Sequence, residues 1–314
     1  MAKFLVVGDA TVDQMYFVEE FPEPGTEVSA YRSTLEPGGS GGTVATVLAR
    51  LGNQTRIATR VGTDPFADVA LRNLVASGVD LSLLQRHATL QTSSVTLLVT
   101  PDGQRTMLSS AGASRELDVA RLDTASVTDA DALVMSAYSL VAGRQQEYAL
   151  TALRLAAAAR LTTFIDLGTG AVNALGSRLI DHVRGVDYLL MNEHELYEVT
   201  GLSTISAAVL HLRSLGIDNI VVKVGENGSI LFTPDLSELV EAHPVAGVID
   251  STGAGDYYTA AFAHAVMDGY DLLTAARMAN VAGALNTTSV GAQSVDLDVE
   301  LLEHVGADLA TVPA

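Results

Sequence analysis

Short runs of aliphatic and β-branched residues alternate along most of the chain with segments in which apolar residues recur at helical spacing. The runs are KFLVVG (3–8), TRIAT (55–59), DALVMS (131–136), TTFID (162–166), VDYLLM (186–191) and NIVVKV (219–224). The helical segments cover 43–51, 66–77, 145–160, 174–184 and 204–215. This alternation is typical of βαβ units around a sheet that is buried on both faces. We therefore predict an α/β fold with a mostly parallel central sheet flanked by helices.

Two regions interrupt the alternation and read as extended chain. They cover residues 13–36 and 92–110, and the second contains a hairpin-like turn at Pro101-Asp-Gly103. We expect them to form a small separate β-sheet, the lid, inserted into a single domain over residues 1–314. A free strand edge and an apolar face on the lid predict a homodimer formed lid to lid. The residues of that face are Val12, Met15, Phe17, Val95 and Leu97.

Composition excludes several classes of protein. The formal net charge of -19 argues against a nucleic-acid partner, because phosphate contacts need clustered Lys and Arg. The absence of cysteine removes disulfides, thiolate zinc sites and cysteine nucleophiles, and it fits a reducing compartment. No apolar stretch approaches the roughly 20 residues of a membrane span. The N-terminus MAKFLVVGDA is too short in apolar residues for a secretory signal, so we expect a cytoplasmic protein with no membrane partner.

Three common functional motifs are missing. The two lysines, Lys3 and Lys223, follow Ala2 and Val222, so there is no Gly-Lys-[Ser/Thr] of a P-loop. The pair His194-Glu195 has no second histidine at zincin spacing. The segment FIDLGTGAVNALG (164–176) resembles a dinucleotide fingerprint, but an asparagine replaces the third glycine.

The segment Asp250-Ser-Thr-Gly-Ala-Gly-Asp256 lies between an apolar run and a predicted helix. Small residues at such a junction leave backbone N–H groups open in front of a helix N-terminus, where the partial positive charge attracts an anion. Gly253, Ala254 and Gly255 are therefore predicted to form an anion hole. Asp256 at its edge is placed to accept a proton from a substrate hydroxyl. The alternative is a structural one, since aspartate is also a preferred N-cap residue.

The motif and its neighbours resemble the ribokinase, or PfkB-type, family of carbohydrate kinases. The segment at 250–256 is similar to the family's second signature, D-[ST]-x-G-A-G-D, and Gly38-Gly-Ser-Gly-Gly-Thr43 to its first. Further similar segments follow in the expected order at 61–80, 192–201, 222–229 and 278–285. The resemblance covers nearly the whole chain. It implies a ribokinase-like fold in which the lid excludes water, and ATP-dependent phosphorylation of a hydroxymethyl group on a small sugar or related polyol.

The resemblance also implies roles for individual residues. It makes Asp256 the catalytic base and Gly253, Ala254 and Gly255 the anion hole. The substrate would contact Asp13, Gly38, Gly39, Ser40, Thr43, Arg105 and Tyr138. The nucleotide would contact Asn192, Lys223, Gly225, Gly228 and Asn280. Glu195 would hold Mg²⁺ through water, and a potassium site would include Asp250, Thr252, Gly291 and Ser294.

Several of these residues have structural alternatives. Asp13 can be a turn carboxylate, although a carboxylate also accepts two vicinal hydroxyls. Asn192 and Glu195 satisfy what a helix N-terminus needs, which makes a capped helix the alternative to metal binding. Tyr138 can pack at the end of a strand as readily as it can stack on a sugar or a base.

Departures from the family pattern bear on the substrate. Ser40, Thr43 and Tyr138 stand where ribokinases carry Lys, Asn and Glu, which argues against ribose itself. The lid supplies few basic residues (Arg32, Arg105 and Arg115), which favours a neutral sugar or nucleoside over a sugar phosphate. A nucleoside kinase is the first alternative, with an aromatic pocket from Tyr16, Phe17, Tyr31 and Tyr138. The second is a non-catalytic sugar-binding regulatory protein, which would need neither the base nor the anion hole.

Overall fold

A computed structural model describes residues 1–102 and 104–302 of the protein. Its strands are β1 (Lys3–Val7), β2 (Thr11–Phe17), β3 (Arg32–Gly38), β4 (Gln54–Val61), β5 (Leu84–Arg86), β6 (Ser94–Val99), β7 (Arg105–Ser110), β8 (Ala132–Ser136), β9 (Thr162–Asp166), β10 (Tyr188–Asn192), β11 (Asn219–Lys223), β12 (Ser229–Phe232) and β13 (Ser237–Val240). Its α-helices are α1 (Ser40–Arg50), α2 (Phe66–Ala76), α3 (Thr124–Thr128), α4 (Gly143–Ala159), α5 (Thr169–Leu175), α6 (Arg178–Val183), α7 (Glu193–Thr200), α8 (Ile205–Ser214), α9 (Ala254–Met267) and α10 (Leu272–Asn286). No helix within the described ranges is both long enough and apolar enough to cross a membrane.

The central sheet has nine strands in the order β13-β12-β11-β10-β9-β8-β1-β4-β5. The strands β11, β10, β9, β8, β1, β4 and β5 pair in parallel with their neighbours. At the other edge, β12 and β13 add antiparallel strands next to β11. The prediction of a mostly parallel sheet flanked by helices is confirmed.

Helices cover both faces of this sheet because successive side chains of each strand point to opposite sides. Phe4 and Val6 of β1 pack in a core with helices α1, α2, α9 and α10. Leu5 and Val7 pack in a second core that includes residues of α4 and α5 to α8. Both sets are fully buried, which explains why the strand reads as a continuous apolar run in the sequence.

The lid is a four-stranded sheet in the order β3-β2-β6-β7. Strands β2 and β6 pair in parallel, and the outer strands β3 and β7 pair antiparallel to them. Both extended regions therefore form the predicted separate sheet. Of the predicted turn, Gly103 lies outside the described residues, and so does the end of the predicted domain beyond residue 302.

The prediction of an exposed apolar face on the lid is wrong for most of the residues assigned to it. Val12, Met15 and Leu97 are buried within the single chain. Alternation along the strands places Tyr16, Leu35 and Leu108 on the sheet face opposite to Met15, and these three side chains are exposed. The sequence shows the alternation but not which face packs against the body.

One predicted helix is divided in two. The segment 174–184 was expected to be continuous, whereas α5 ends at Leu175 and α6 begins at Arg178. Gly176 lies between them with a φ of 56°, a conformation that does not continue a right-handed helix.

Candidate functional site

The side chains singled out in the sequence collect at the carboxyl ends of the parallel strands. Asp166, Asn192 and Lys223 are the last residues of β9, β10 and β11, and Tyr138 follows β8. Ligands of open α/β sheets bind in the crevice beyond this edge. The lid begins directly after β1, so it stands above the same edge.

The predicted anion hole lies at the N-terminus of α9. Gly253 is the N-cap, with a φ of 81°, and no side chain caps the helix. Within the described part of the chain, the N–H groups of Gly253 and Gly255 donate to no acceptor. Ala254 differs from the prediction, because its N–H donates to the carbonyl of Ser251 at 3.3 Å. Of the three predicted donors, those of the two glycines are therefore open.

Asp256 lies in the first turn of α9 rather than at its cap, so the structural alternative of an aspartate N-cap is wrong. Its Oδ1 accepts a hydrogen bond from Oγ of Ser40 at 2.5 Å. Burial, reinforced by the nearby charge of Asp166, raises the pKa of Asp256 to about 7, although Ser40 and Lys223 act in the opposite direction. A carboxylate with this pKa is well matched to proton transfer near neutral pH.

Two helix N-termini meet at this carboxylate. Ser40 is the first residue of α1, and Asp256 is in the first turn of α9. The N-terminus of a helix carries a partial positive charge, and α1 has no acidic residue of its own in its first turn. The space in front of the Ser40–Asp256 pair is therefore favourable for negative charge.

Lys223 adds a full positive charge to the same place. Its Nζ donates to both carboxylate oxygens of Asp166, at 2.7 and 2.9 Å. A side-chain carbon added at Gly255 would lie only 3.2 Å from this Nζ, so the ammonium stands against the anion hole. Burial opposes the charge, but Asp166 and Glu195 outweigh it and raise the pKa of Lys223. The lysine is thus fixed and protonated beside the hole.

Asn192 and Glu195 form a capping box at the start of α7. Oδ1 of Asn192 accepts from the Glu195 N–H at 2.8 Å, and Oε2 of Glu195 accepts from the Asn192 N–H at 2.9 Å. The other oxygen of Glu195 accepts from Oγ1 of Thr169 at 2.9 Å. The interpretation as a capped helix is confirmed.

The same carboxylate also meets the requirement for a water-mediated Mg²⁺ site. Each carboxylate oxygen has two acceptor directions, so Glu195 can accept a further hydrogen bond from a metal-bound water. No group of three or more His, Cys, Asp or Glu among the described residues could hold a metal ion directly. Magnesium commonly keeps several waters and takes its other ligands from substrate phosphates. Glu195 and Asn192 therefore fit the indirect role.

Asp13 stands at the base of the lid, where strand β2 faces β3. Asp13 is 6% exposed, and its carboxylate accepts from Oγ1 of Thr11 at 3.1 Å. Burial, with smaller contributions from Asp250 and Glu36, raises its pKa to about 6. A Cβ on Gly38 would lie 2.3 Å from this carboxylate, so only glycine at position 38 leaves room for it. The predicted contact set of Asp13 and the first-signature glycines is thus assembled.

Tyr138 reaches the site from the end of β8. Its ring lies against Gly168 and Gly170, and its hydroxyl accepts from the Gly170 N–H at 3.2 Å. These contacts explain the two glycines of the segment that resembles a dinucleotide fingerprint. Partial burial, together with the charge of Asp256, raises the pKa of Tyr138, and the residue as a whole is 40% exposed.

Two predicted contact residues lie in packed interfaces. Thr43 is fully buried, and its Oγ1 accepts from Nε2 of Gln293 at 3.3 Å. Asn280 donates both amide hydrogens to the carbonyls of Val240 and Glu241, at 2.9 and 3.0 Å. The Thr43 hydroxyl and the Asn280 amide nitrogen are therefore already engaged in hydrogen bonds within the protein.

The glycines of the predicted nucleotide turn differ in their surroundings. Gly225 faces open space, whereas a Cβ on Gly228 would collide with the Val240 carbonyl at 2.1 Å. Both lie in the turn between β11 and β12, directly after Lys223. The turn therefore borders the same crevice as the lysine.

Arg105, predicted as a lid contact to the substrate, lies at the start of β7. Its guanidinium donates to Asp250, Ser251 and Thr252, the residues directly before the anion hole. These hydrogen bonds form a contact between the lid and the body, and the substrate contact of Arg105 stays a prediction.

Two acidic residues of this region were not selected from the sequence. Asp166 holds Lys223, and Asp9 accepts a hydrogen bond from Nε2 of Gln145. Burial raises the pKa of Asp9. Each lies at or just beyond the carboxyl end of a buried parallel strand, and that position was the signal that could have identified them.

Comparison with known proteins gives consistent matches over nearly the full chain. The model of the pfkB family carbohydrate kinases matches residues 1–299. A deoxyribokinase of Salmonella typhi is 26% identical over 92% of this chain and 94% of its own length. A nucleoside kinase of Methanothermobacter thermautotrophicus is 29% identical over 92% and 91%. The structure of Arabidopsis thaliana ribokinase complexed with ribose and ATP superposes with a TM-score of 0.83 at 26% identity, covering 97% of this chain and 98% of that one.

Proposed function

The chain belongs to the pfkB family of carbohydrate kinases, and from this membership we propose how its residues divide the work of phosphoryl transfer. The enzyme catalyses the ATP-dependent phosphorylation of a sugar or nucleoside. The acceptor is a hydroxymethyl group, and Asp256 is the base that removes its proton.

The observation that carries this assignment is the hydrogen bond from Ser40 to Asp256. The hydroxyl of Ser40 already donates to Oδ1 of this carboxylate, as a substrate hydroxyl would have to do. The free N–H groups of Gly253 and Gly255 lie one to three residues away on the same helix turn. An acceptor hydroxyl bound here would have the base on one side and the anion hole on the other.

The remaining groups stabilise the transferred phosphoryl group. Phosphoryl transfer requires little covalent help from the protein and depends on positioning and on positive charge. Gly253 and Gly255 donate to its oxygens, Lys223 supplies a fixed ammonium, and the N-termini of α1 and α9 add partial charges. Asp166 keeps the lysine in place through its two hydrogen bonds.

ATP is the phosphoryl donor and acts with Mg²⁺. Asn192 and Glu195 would hold Mg²⁺ through water, and the turn with Gly225 and Gly228 would border the nucleotide. When bound, Mg²⁺ supplies positive charge to the phosphates. The lid covers the crevice and excludes water, which would otherwise compete with the acceptor.

We infer a neutral acceptor rather than a sugar phosphate. A phosphate group would need a free basic cluster. Arg105 is engaged with Asp250, Ser251 and Thr252, and the guanidinium of Arg32 lies over the ring of Phe17 at 4.9 Å. Asp13 is then the group that accepts hydroxyls of the acceptor.

Between the two neutral classes, a sugar or polyol is favoured over a nucleoside. The aromatic pocket expected for a nucleoside would need Tyr16 and Phe17 together, but these neighbours on β2 point to opposite faces of the lid. A nucleoside remains the second candidate because the similar proteins include nucleoside kinases.

The test is ADP release from Mg-ATP over a panel of ribose, fructose, ketodeoxygluconate, myo-inositol, adenosine and cytidine. Turnover with a neutral sugar or polyol above that with either nucleoside is the expected result. Preference for a nucleoside would show that the enzyme is a nucleoside kinase rather than a sugar or polyol kinase. Preference for a phosphorylated sugar in a parallel assay would contradict the assignment of a neutral acceptor.

The activity should depend on pH through Asp256. Burial raises the pKa of this carboxyl to about 7, and the base must be ionised to act, so activity is lost as the pH falls through that value. We expect kcat/KM for the acceptor to fall by about tenfold per pH unit on the acid side. In Ser40→Ala the hydrogen bond that favours the ionised form is missing, so the acid limb should move to higher pH. A profile that stays flat through pH 7 would exclude Asp256 as the titrating base.

The exposed lid face formed by Tyr16, Leu35 and Leu108 supports a homodimer through the lid. Exposed apolar side chains on neighbouring strands with free edges are typical of such contacts. Light scattering at micromolar protein should give the mass of two chains, and the mass of one chain would exclude the dimer.

A further inference from the structure

One side chain joins the lid to the segment that leads into the anion hole. Arg105, the first residue of β7, donates from Nη1 to Oδ1 of Asp250 at 3.0 Å and to Oγ1 of Thr252 at 2.6 Å. Its Nη2 donates to Oγ of Ser251 at 2.7 Å. The next residue after these acceptors is Gly253, the N-cap of α9. The guanidinium therefore holds the chain directly before the open donors.

The acceptor of this contact is a buried carboxylate. The side chain of Asp250 is 6% exposed, and that of Arg105 is 26% exposed. The carboxylate also accepts from the N–H groups of Thr252 and Gly291, both at 2.9 Å. An ionised carboxylate at this depth is costly without an opposite charge. Arg105 is the positive partner that the structure provides.

This arrangement does not fit the potassium site that the family resemblance implied. The carbonyl of Thr252 accepts from Nδ2 of Asn286 at 2.7 Å, and the carbonyl of Gly291 accepts from Oγ of Ser294 at 3.0 Å. Oδ1 of Asn286 is buried without a hydrogen-bond partner, but a single neutral oxygen is not a coordination shell for a cation. A potassium ion here would also lie close to the guanidinium and be repelled by it.

We propose that Arg105 takes the place of a monovalent cation beside the anion hole, so that the enzyme works without potassium. The inference rests on the proposed function, because it concerns the same anion hole. It makes Arg105 a positioning residue that acts through Asp250 and Thr252. Since the cation is carried by the lid, the segment before the hole is ordered by lid closure rather than by the ionic composition of the solution.

The first measurement compares the wild-type enzyme in choline chloride and in potassium chloride at equal ionic strength. Equal rates of ADP release are expected. A clear stimulation by potassium would overturn the proposal while leaving the kinase assignment intact. Absence of turnover in both salts, with every acceptor of the panel, would instead count against the proposed function, so the two failures are distinguishable.

The second measurement uses Arg105→Gln, with Arg32→Gln as the matched control from the same sheet. Removal of hydrogen bonds from a charged donor should lower kcat by about 10- to 100-fold, and the control should keep its rate. Added guanidinium or potassium ions should restore part of the lost rate, because either can enter the space left by the side chain. Equal activity of the two variants would overturn the proposal. A folded Arg105→Gln enzyme that no cation rescues would do so as well.

A binding readout independent of turnover completes the test. A ligand that binds only the folded state raises the midpoint of thermal unfolding. Exchange of choline for potassium should leave the midpoint of the wild-type protein unchanged and raise that of Arg105→Gln. A rise of equal size in both proteins would show that potassium binds beside the arginine, which contradicts the replacement.

Discussion

Replacing Asp256 with asparagine should lower kcat by about 10²- to 10⁴-fold, the range that a general base contributes. Asparagine has the same shape, and its carbonyl oxygen can still accept from Oγ of Ser40, but it cannot take the proton of the acceptor. Steady-state ADP release measures the effect, and calorimetric titration with ATP should show that nucleotide binding is retained. Asp268→Asn is the control, because it lies at the other end of α9 and is exposed to solvent.

The stability of the same variant tests whether unfolding causes the loss of activity. Because burial raises the pKa of Asp256 from 3.8 to about 7, the ionised carboxylate disfavours the folded state at pH values above 7. Below 3.8 the group is protonated in both states and has no such effect. Asp256→Asn should therefore have a higher unfolding midpoint than the wild type at alkaline pH, and the difference should shrink as the pH falls. Wild-type kcat in a stable Asp256→Asn protein would exclude the base assignment.

Gly253→Ala should lower kcat by about 10²- to 10³-fold, as the loss of one anion-hole donor does in other enzymes. An added Cβ would lie 2.6 Å from the carbonyl oxygen of Ala292, so the turn that carries the open N–H groups must move. The positive φ of 81° adds strain of its own. ADP release at saturating substrates measures the change.

Gly269→Ala is the control that separates displacement of the anion-hole turn from backbone strain. Gly269 follows α9 with a φ of 91°, but a Cβ there would meet no heavy atom within 4 Å. Each substitution should cost about 1–2 kcal/mol of stability through backbone strain, and only Gly253→Ala should lose turnover. A similar loss of kcat in both variants would trace the effect to helix stability instead of the anion hole.

The main sheet could be predicted because burial on both faces leaves a direct trace in the sequence. Strands such as β1 and β8 are continuous apolar runs, and their positions follow from that. The lid was recognised in the same way, from extended chain that interrupts the alternation. Its packing was not, since alternation identifies two faces without saying which one meets the body. Met15 and Leu97 are consequently buried where exposed side chains were expected.

The location of the site could also be predicted, but not the partners of its side chains. The capping box of Asn192 and Glu195 follows from spacing along one helix turn. The contact of Arg105 with Asp250 joins residues 145 positions apart, and no local pattern reports it. Thr43 illustrates the same limit within α1, where the family position did not reveal that its hydroxyl faces Gln293 in a buried interface.

The contact between Ser40 and Asp256 has a consequence for the synthesis of the protein. The two residues are 216 positions apart, and α9 covers part of the apolar surface of α1. Contacts of such sequence separation form slowly, because the entropy of closing the loop must be overcome first. While the chain leaves the ribosome, the apolar surfaces of α1 and β1 stay exposed until the second half of the chain has been synthesised. During that interval these surfaces can aggregate. A chain that ends before residue 256 would lack both the base and the helix that covers this surface.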